Sequence, residues 1–178
     1  MPDEEIILKF TSAFAEKRRK RNLWLRKALI RESDPFVIAI SGANFGPGVL
    51  DPDHPLVLYP LFGVARMTAT FGGPSEPPIV RYEPGAERIK ASTGAPIDNY
   101  LFRPSTGGDS AAPVEVSALI FSDRNFRSDP DQFDDFVCIH NPNARHPVRE
   151  GFLPFGREFA KRGRSIEMIN DYRRHLAP

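Results

Sequence analysis

The stretch PFVIAISG, residues 35–42, constrains the fold more than any other. Phe36, Val37, Ile38, Ala39 and Ile40 form an apolar run in which no polar residue takes the alternate positions. Such a run reads as a strand buried on both faces, the kind found inside a sheet with covered faces. Pro35 and Gly42 limit it to strand length. We therefore expect residues 36–40 to be an interior rung of a sheet. VEVSALIFS (114–122) is a second strand candidate, with Val114, Val116, Ala118 and Ile120 on one face, and FVCIH (136–140) is a third.

Helical spacing surrounds this sheet. Ile7, Phe10, Phe14, Lys17, Arg21, Trp24 and Ala28 recur at steps of three or four. Asp3, Glu4 and Glu5 suit the positive end of a helix dipole. Ser33-Asp34-Pro35 is expected to stop this helix, because the residue before proline avoids helical angles. Residues 56–67 predict a short helix broken near Pro60. TATF, PIVRYE and NYLFRP, between residues 68 and 104, read as short strands around a turn at 72–78. SIEMINDYRRHL (165–176), with Ile166, Ile169 and Tyr172 at helical spacing, predicts a closing C-terminal helix. The fold class expected is α/β, or α+β, with a mixed central sheet, a long N-terminal helix and a C-terminal helix.

At 178 residues the chain fits one domain. Forty per cent apolar residues, including 14 Phe, is enough for a core, and 18 prolines, about twice the usual share, imply many irregular connections. One cysteine excludes an intrachain disulfide and suits a reducing, cytoplasmic location. No apolar run approaches ~20 residues, so no membrane partner is expected, and the N-terminus lacks the pattern of a secretion signal. Charge divides the chain. Residues 1–31, a basic helix, carry nine Lys/Arg against four Asp/Glu; the sheet-containing body, 32–156, carries nine against sixteen; the basic segment 157–178 carries six against three. Basic ends on an acidic body serve either a polyanion partner or mutual neutralisation within the fold.

Candidate chemistry concentrates in VCIHNPNARHPV, residues 137–148. Cys138 and His140, two apart on a strand, point to the same face. His146 follows six residues later, while His54 and His175 are isolated, so the three or four converging ligands that zinc requires are not legible, and no metal or cofactor is expected. A thiol inside an apolar strand is a poor nucleophile, and no G-x-S-x-G is present. SGANFGPG (41–48) lacks the spacing of a phosphate-binding loop. Asn141 and Asn143 suit a turn in which side chains bond nearby backbone, with Pro142 and Pro147 fixing angles and Arg145 tying the loop to an acid such as Asp134 or Asp135. Elsewhere Lys17, Arg18, Arg19, Lys20, Arg21, Arg26 and Lys27 wrap around the first helix; they offer phosphate contacts, and Trp24 a surface on which a base stacks.

TSAFAEKRRKRNLWLRKALI, DPFVIAISG, VSALIFSDR and VCIHNPNARHPV together resemble the C-terminal half of uncharacterised bacterial proteins similar to the PD-(D/E)XK, restriction-endonuclease-like group. The resemblance spans roughly residues 11–148. It implies a lysine-bearing helix after the catalytic strands, which would lie before Met1, and an apolar strand after that helix. The acid-x-Lys pair of that group is not found, since Glu87 and Lys90 stand three apart, and no catalytic residue is carried over.

The expected function is a non-catalytic binding domain that contacts nucleic acid or another protein chain, with Lys17, Arg18, Arg21, Trp24, His140, Asn141 and Arg145 as binding residues. The alternatives are a small-molecule enzyme, with Asn44, His140, Asn141 and Arg145 around a strand-end pocket and Asp123 as acid, and an oligomeric subunit whose basic ends dock on a neighbour's acidic body.

Overall fold

The computed structural model describes residues 4–42, 45, 55–70, 79–84, 88–89, 92–97, 100–103, 113–122, 136–163 and 165–172. They form helix α1 (Glu4–Arg26), strand β1 (Val37–Ser41), the short helix α2 (Leu58–Phe62), and strands β2 (Val64–Thr70), β3 (Ile79–Pro84), β4 (Arg88–Ile89), β5 (Pro96–Ile97), β6 (Ala118–Ser122), β7 (Phe136–His140), β8 (Arg157–Arg162) and β9 (Ser165–Asp171). Seven strands build one mixed sheet in the order β1-β6-β7-β8-β9-β3-β2; β4 and β5 pair separately. β1 runs parallel to β6 and β7 parallel to β8, while the other pairs of the main sheet are antiparallel. The mixed α/β fold and the long N-terminal helix agree with the sequence reading.

Helix α1 begins on Glu4 and Glu5, acids placed at the positive end of its dipole. Its buried residues are Ile7, Phe10, Phe14 and Arg21, the stripe that the spacing defines. The helix ends at Arg26, well before Pro35. Ala28 turns left-handed at φ 53°, and the N–H groups of Ala28 and Leu29 donate to the carbonyls of Leu25 and Trp24. This is the Schellman arrangement, with alanine in the position where glycine is favoured. Its return bonds satisfy the last carbonyls, so the helix stops without proline.

One face of the sheet receives α1. Register places Ile38 beside Leu119 and Ile40 beside Phe121, and then Leu119 beside Ile139 and Phe121 beside Val137. All six are buried together with Phe10 and Phe14 in one core. Phe10 meets Phe121 at a ring separation of 6.1 Å, and Phe14 meets Phe102 edge-on at 6.2 Å. Fully burying each such side chain contributes roughly 1.5–3 kcal/mol.

Four expectations are corrected. Residues 36–40 are not an interior rung: β1 stands at the end of the strand order, and Ala39 is exposed. A single covered face, carrying Ile38 and Ile40, explains the apolar run, because the alternate positions hold only Val37 and Ala39. The rungs next to it, β6 and β7, are interior, and there both sets of side chains are buried apart from half-buried Ile120 and Phe136. The C-terminal helix is also not formed; residues 165–171 are β9. Pairing with β8 overrides the local spacing, and only Ile166 of that segment is fully buried. Finally, the strand predicted over 114–122 starts at Ala118, with Val114 and Glu115 in a turn, and residues 100–103 of NYLFRP are not a strand.

Two backbone positions test this architecture. Gly156 has φ +76°, and a Cβ there would press into the carbonyl of Phe136. Gly156→Ala is expected to destabilise by more than about 2 kcal/mol. Ala28→Gly is expected to stabilise by up to about 1 kcal/mol, because it relieves the left-handed alanine. Urea denaturation of both variants reads the signs.

Candidate functional site

The second face of the sheet carries polar chemistry at its centre. Cys138 and His140 alternate with Val137 and Ile139 and so face away from α1. Register pairs Cys138 with Glu158 on the neighbouring parallel strand. His140 Nε2 and Glu158 Oε1 are 2.6 Å apart, and both residues are buried. The other carboxylate oxygen, Oε2, accepts from the Gly151 backbone N–H at 2.7 Å and from the Asn170 side-chain amide. Phe152 sets its ring edge-on to the imidazole. One donor group each from Cys138, His140 and Glu158 lies within 4.8 Å of the others. Burial, and then the Glu158 carboxylate, push the Cys138 thiol far above its ordinary pKa. A protonated, enclosed thiol is no free nucleophile.

Glu158, Gly151 and Asn170 escape sequence inspection because no local motif or spacing links them to Cys138 and His140; strand pairing and hydrogen bonds bring them there. The third polar residue of the cluster arrives by strand pairing, 18 residues after His140, and only its phase on β8, with Glu158 between inward-facing Arg157 and Phe159, carries a trace of it.

Beyond His140 the turn is structural, as the asparagines imply. Asn141 is buried, and its amide donates to the carbonyls of Pro113 and Val116 at 3.0 and 2.8 Å. Its Oδ1 accepts from the Asn143 N–H, and the Asn143 amide donates to Phe102 and Arg103 carbonyls. Arg145 pairs with Glu32 at 2.9 Å on the surface; Asp134 and Asp135, its expected partners, lie outside the described residues. Ser117 ties this turn to β1: its hydroxyl accepts from the Phe36 N–H and donates to the His146 carbonyl.

On α1 the predicted binding residues separate. Arg18 holds Glu115 through two nitrogens, each 2.6 Å from the same oxygen. Arg21 is buried, with its guanidinium 5.7 Å from the centre of the Phe36 ring and donating toward the Glu32 carbonyl. Lys17 is half-buried beside a groove. Trp24 leans edge-on against Phe36 and stays 38% exposed. Around it stand exposed Arg19, Leu23, Arg26 and Lys27. Steps of three and four place Arg19, Leu23 and Arg26 in one row and Lys20, Trp24 and Lys27 in the next, so the six residues share one broad helical face. Lys20 pairs with Glu16 at 2.7 Å; Arg19, Arg26 and Lys27 have no ion pair among the described residues.

The small-molecule reading placed a pocket at the 137–148 strand ends, with Asn44 and Asp123, which lie outside the described residues. A cavity of about 630 Å³ lies between α1 and β1, lined by Leu8, Lys9, Ala13, Lys17, Ile40 and Phe45 among others. No described helix is long and apolar enough to cross a membrane. Comparisons with family models, with curated proteins and with solved structures find no match.

Two polar residues of the turn, Asn141 and Arg145, differ in what their loss leaves behind. Asn141→Ala strands two buried carbonyls and is expected to destabilise by about 2–4 kcal/mol. Arg145→Ala removes an exposed pair and is expected to change stability by less than about 1 kcal/mol. Thermal or urea unfolding of the two variants checks the contrast.

Proposed function

We propose that this protein is a non-catalytic polyanion-binding module that takes nucleic acid on the C-terminal half of α1. The observation that carries this reading is the exposed face of Arg19, Leu23, Trp24, Arg26 and Lys27. It sets three cations free of ion pairs among the described residues beside an exposed indole and an exposed leucine. Cations spaced along a helix neutralise successive phosphates, and an aromatic among them stacks on an unpaired base. Leu29, 67% exposed just past the helix end, extends the apolar part of the face. Arg18 and Arg21, which the sequence placed with the ligand contacts, act as supports that hold α1 to Glu115, Phe36 and the chain after the helix. The resemblance to restriction-endonuclease-like proteins points to the same ligand class and assigns no catalytic residue.

Trp24 is the single tryptophan of the chain, so its fluorescence reports on this face alone. Titration with single-stranded and duplex oligonucleotides is expected to quench it. Single-strand affinity is expected to fall with salt at a log–log slope of roughly −2, from about three phosphates neutralised. Arg26→Ala with Lys27→Ala is expected to make that slope shallower by more than one and to weaken binding at least tenfold at low salt. Binding that ignores salt, or quenching by anionic lipid vesicles and not by oligonucleotides, would overturn the reading.

A further inference from the structure

We propose that Cys138, His140 and Glu158 form a site for one borderline transition-metal dication, zinc or its analogue cobalt, bound by a thiolate sulfur, an imidazole nitrogen and a carboxylate oxygen. The three donor types suit zinc, whose protein sites draw on thiolate, imidazole and carboxylate together. They converge because β7 and β8 run parallel in a register that sets Cys138 against Glu158, while Cys138 and His140 share a face two residues apart.

The carboxylate is prepared for a ligand. Both partners of Oε2, the Gly151 N–H and the Asn170 amide, are donors, so this oxygen is an acceptor and Oε1 alone is turned to His140. Orientation of one ligand oxygen by N–H donors on the other is a recurrent support of metal sites. Gly151 takes φ +73° where it offers its N–H, and Asn170 is delivered by β9 opposite Glu158, so two separate elements serve a single oxygen.

The space needs only a small adjustment. Zinc–nitrogen and zinc–oxygen distances of about 2.0 Å and a zinc–sulfur distance of about 2.3 Å imply donor separations of roughly 3.3–3.6 Å in a tetrahedron. The three donor atoms lie within 4.8 Å of one another, and the shortest pair, His140 to Glu158, is held at 2.6 Å by a proton. The cation takes the place of that proton, so the pair parts by somewhat under 1 Å while Cys138 Sγ draws in. The proton on Nε2 passes to Nδ1 or to solvent, and the thiol proton goes to solvent; no electron is transferred. The dication also offsets a carboxylate that is only 1% exposed. Solvent or an added ligand fills the fourth position on the side of His140, the most exposed of the three.

The test uses the full chain, stripped with a chelator and titrated with Co²⁺ and then Zn²⁺. One Co²⁺ per chain is expected, with the near-ultraviolet charge-transfer band of a cobalt–thiolate bond, and Zn²⁺ is expected to displace it. Zinc is expected to raise the melting temperature of the unmodified protein and not that of Cys138→Ala. Asn170→Ala, which loosens only the orienting bond, is expected to weaken metal affinity roughly 10–100-fold. Cys138→Ala, small and buried, tests the sulfur; should either variant fail to fold, the cobalt spectrum of the unmodified chain still decides. Absence of stoichiometric uptake, or uptake without the thiolate band and unchanged in Cys138→Ala, would overturn the site. Neither outcome touches the nucleic-acid reading, which rests on α1.

Discussion

Phe10 and Phe14 hold α1 down on the sheet face formed by Ile38, Ile40, Leu119, Phe121, Val137 and Ile139, and most of the remaining geometry follows from that contact. It covers one face of β1, β6 and β7, leaves Ala39 exposed on the other side of β1, and fixes the direction in which the rest of the helix runs. Beyond Phe14 the buried stripe continues as Arg21, whose stem and guanidinium pack on Phe36 while its head reaches the chain that returns toward β1. A cation is tolerated here because the stem is apolar and the ring face draws the charge. The opposite side of the same helix is left to solvent, and there the remaining basic residues gather around Trp24.

The two faces of β7 show how one alternation serves two purposes. Val137 and Ile139 enter the core under α1. Cys138 and His140 turn the other way, under residues 149–156, where Gly151, Phe152 and Glu158 enclose them. A buried polar group in that setting needs a partner, since an unpaired donor or acceptor away from water costs about 1–3 kcal/mol. Glu158 meets this demand with three donors to two oxygens, and Asn141 meets it for two carbonyls before β6. Ser117, bonded to both the start of β1 and the turn after Asn141, joins the two regions without a charge.

Much of this was legible in residues that carry strong local constraints. The stripe Ile7, Phe10, Phe14, Arg21 is a helix by its spacing, and residues 118–122 and 136–140 are strands by their β-prone composition. The asparagines at 141 and 143 read as backbone-binding turn residues because their side chains have that reach. The misreadings share one cause. A continuous apolar run does not report how many faces are covered, so residues 36–40 looked interior when β1 lies at the end of the strand order. Ile166, Ile169 and Tyr172 fit a helix as well as they fit a twisted strand with an irregular register, and pairing with β8 settled the matter. The basic residues of α1 looked alike in sequence, yet Arg18 and Arg21 were drawn into the fold because Glu115 and Phe36 lie next to them in space.

The sequence by itself determined what depends on neighbours along the chain: the amphipathic helix, the strand-forming runs, the stiff turn after His140, and the segregation of positive charge toward the ends. Only the tertiary structure decided what depends on pairing across the chain: which strand stands at the edge, which cations of α1 lack an ion pair among the described residues, and which third residue joins Cys138 and His140. The reason is physical. Periodicity and backbone preference act over a turn or a few residues, whereas register and burial are set by the partner strand, and that partner is chosen by the energy of the whole sheet.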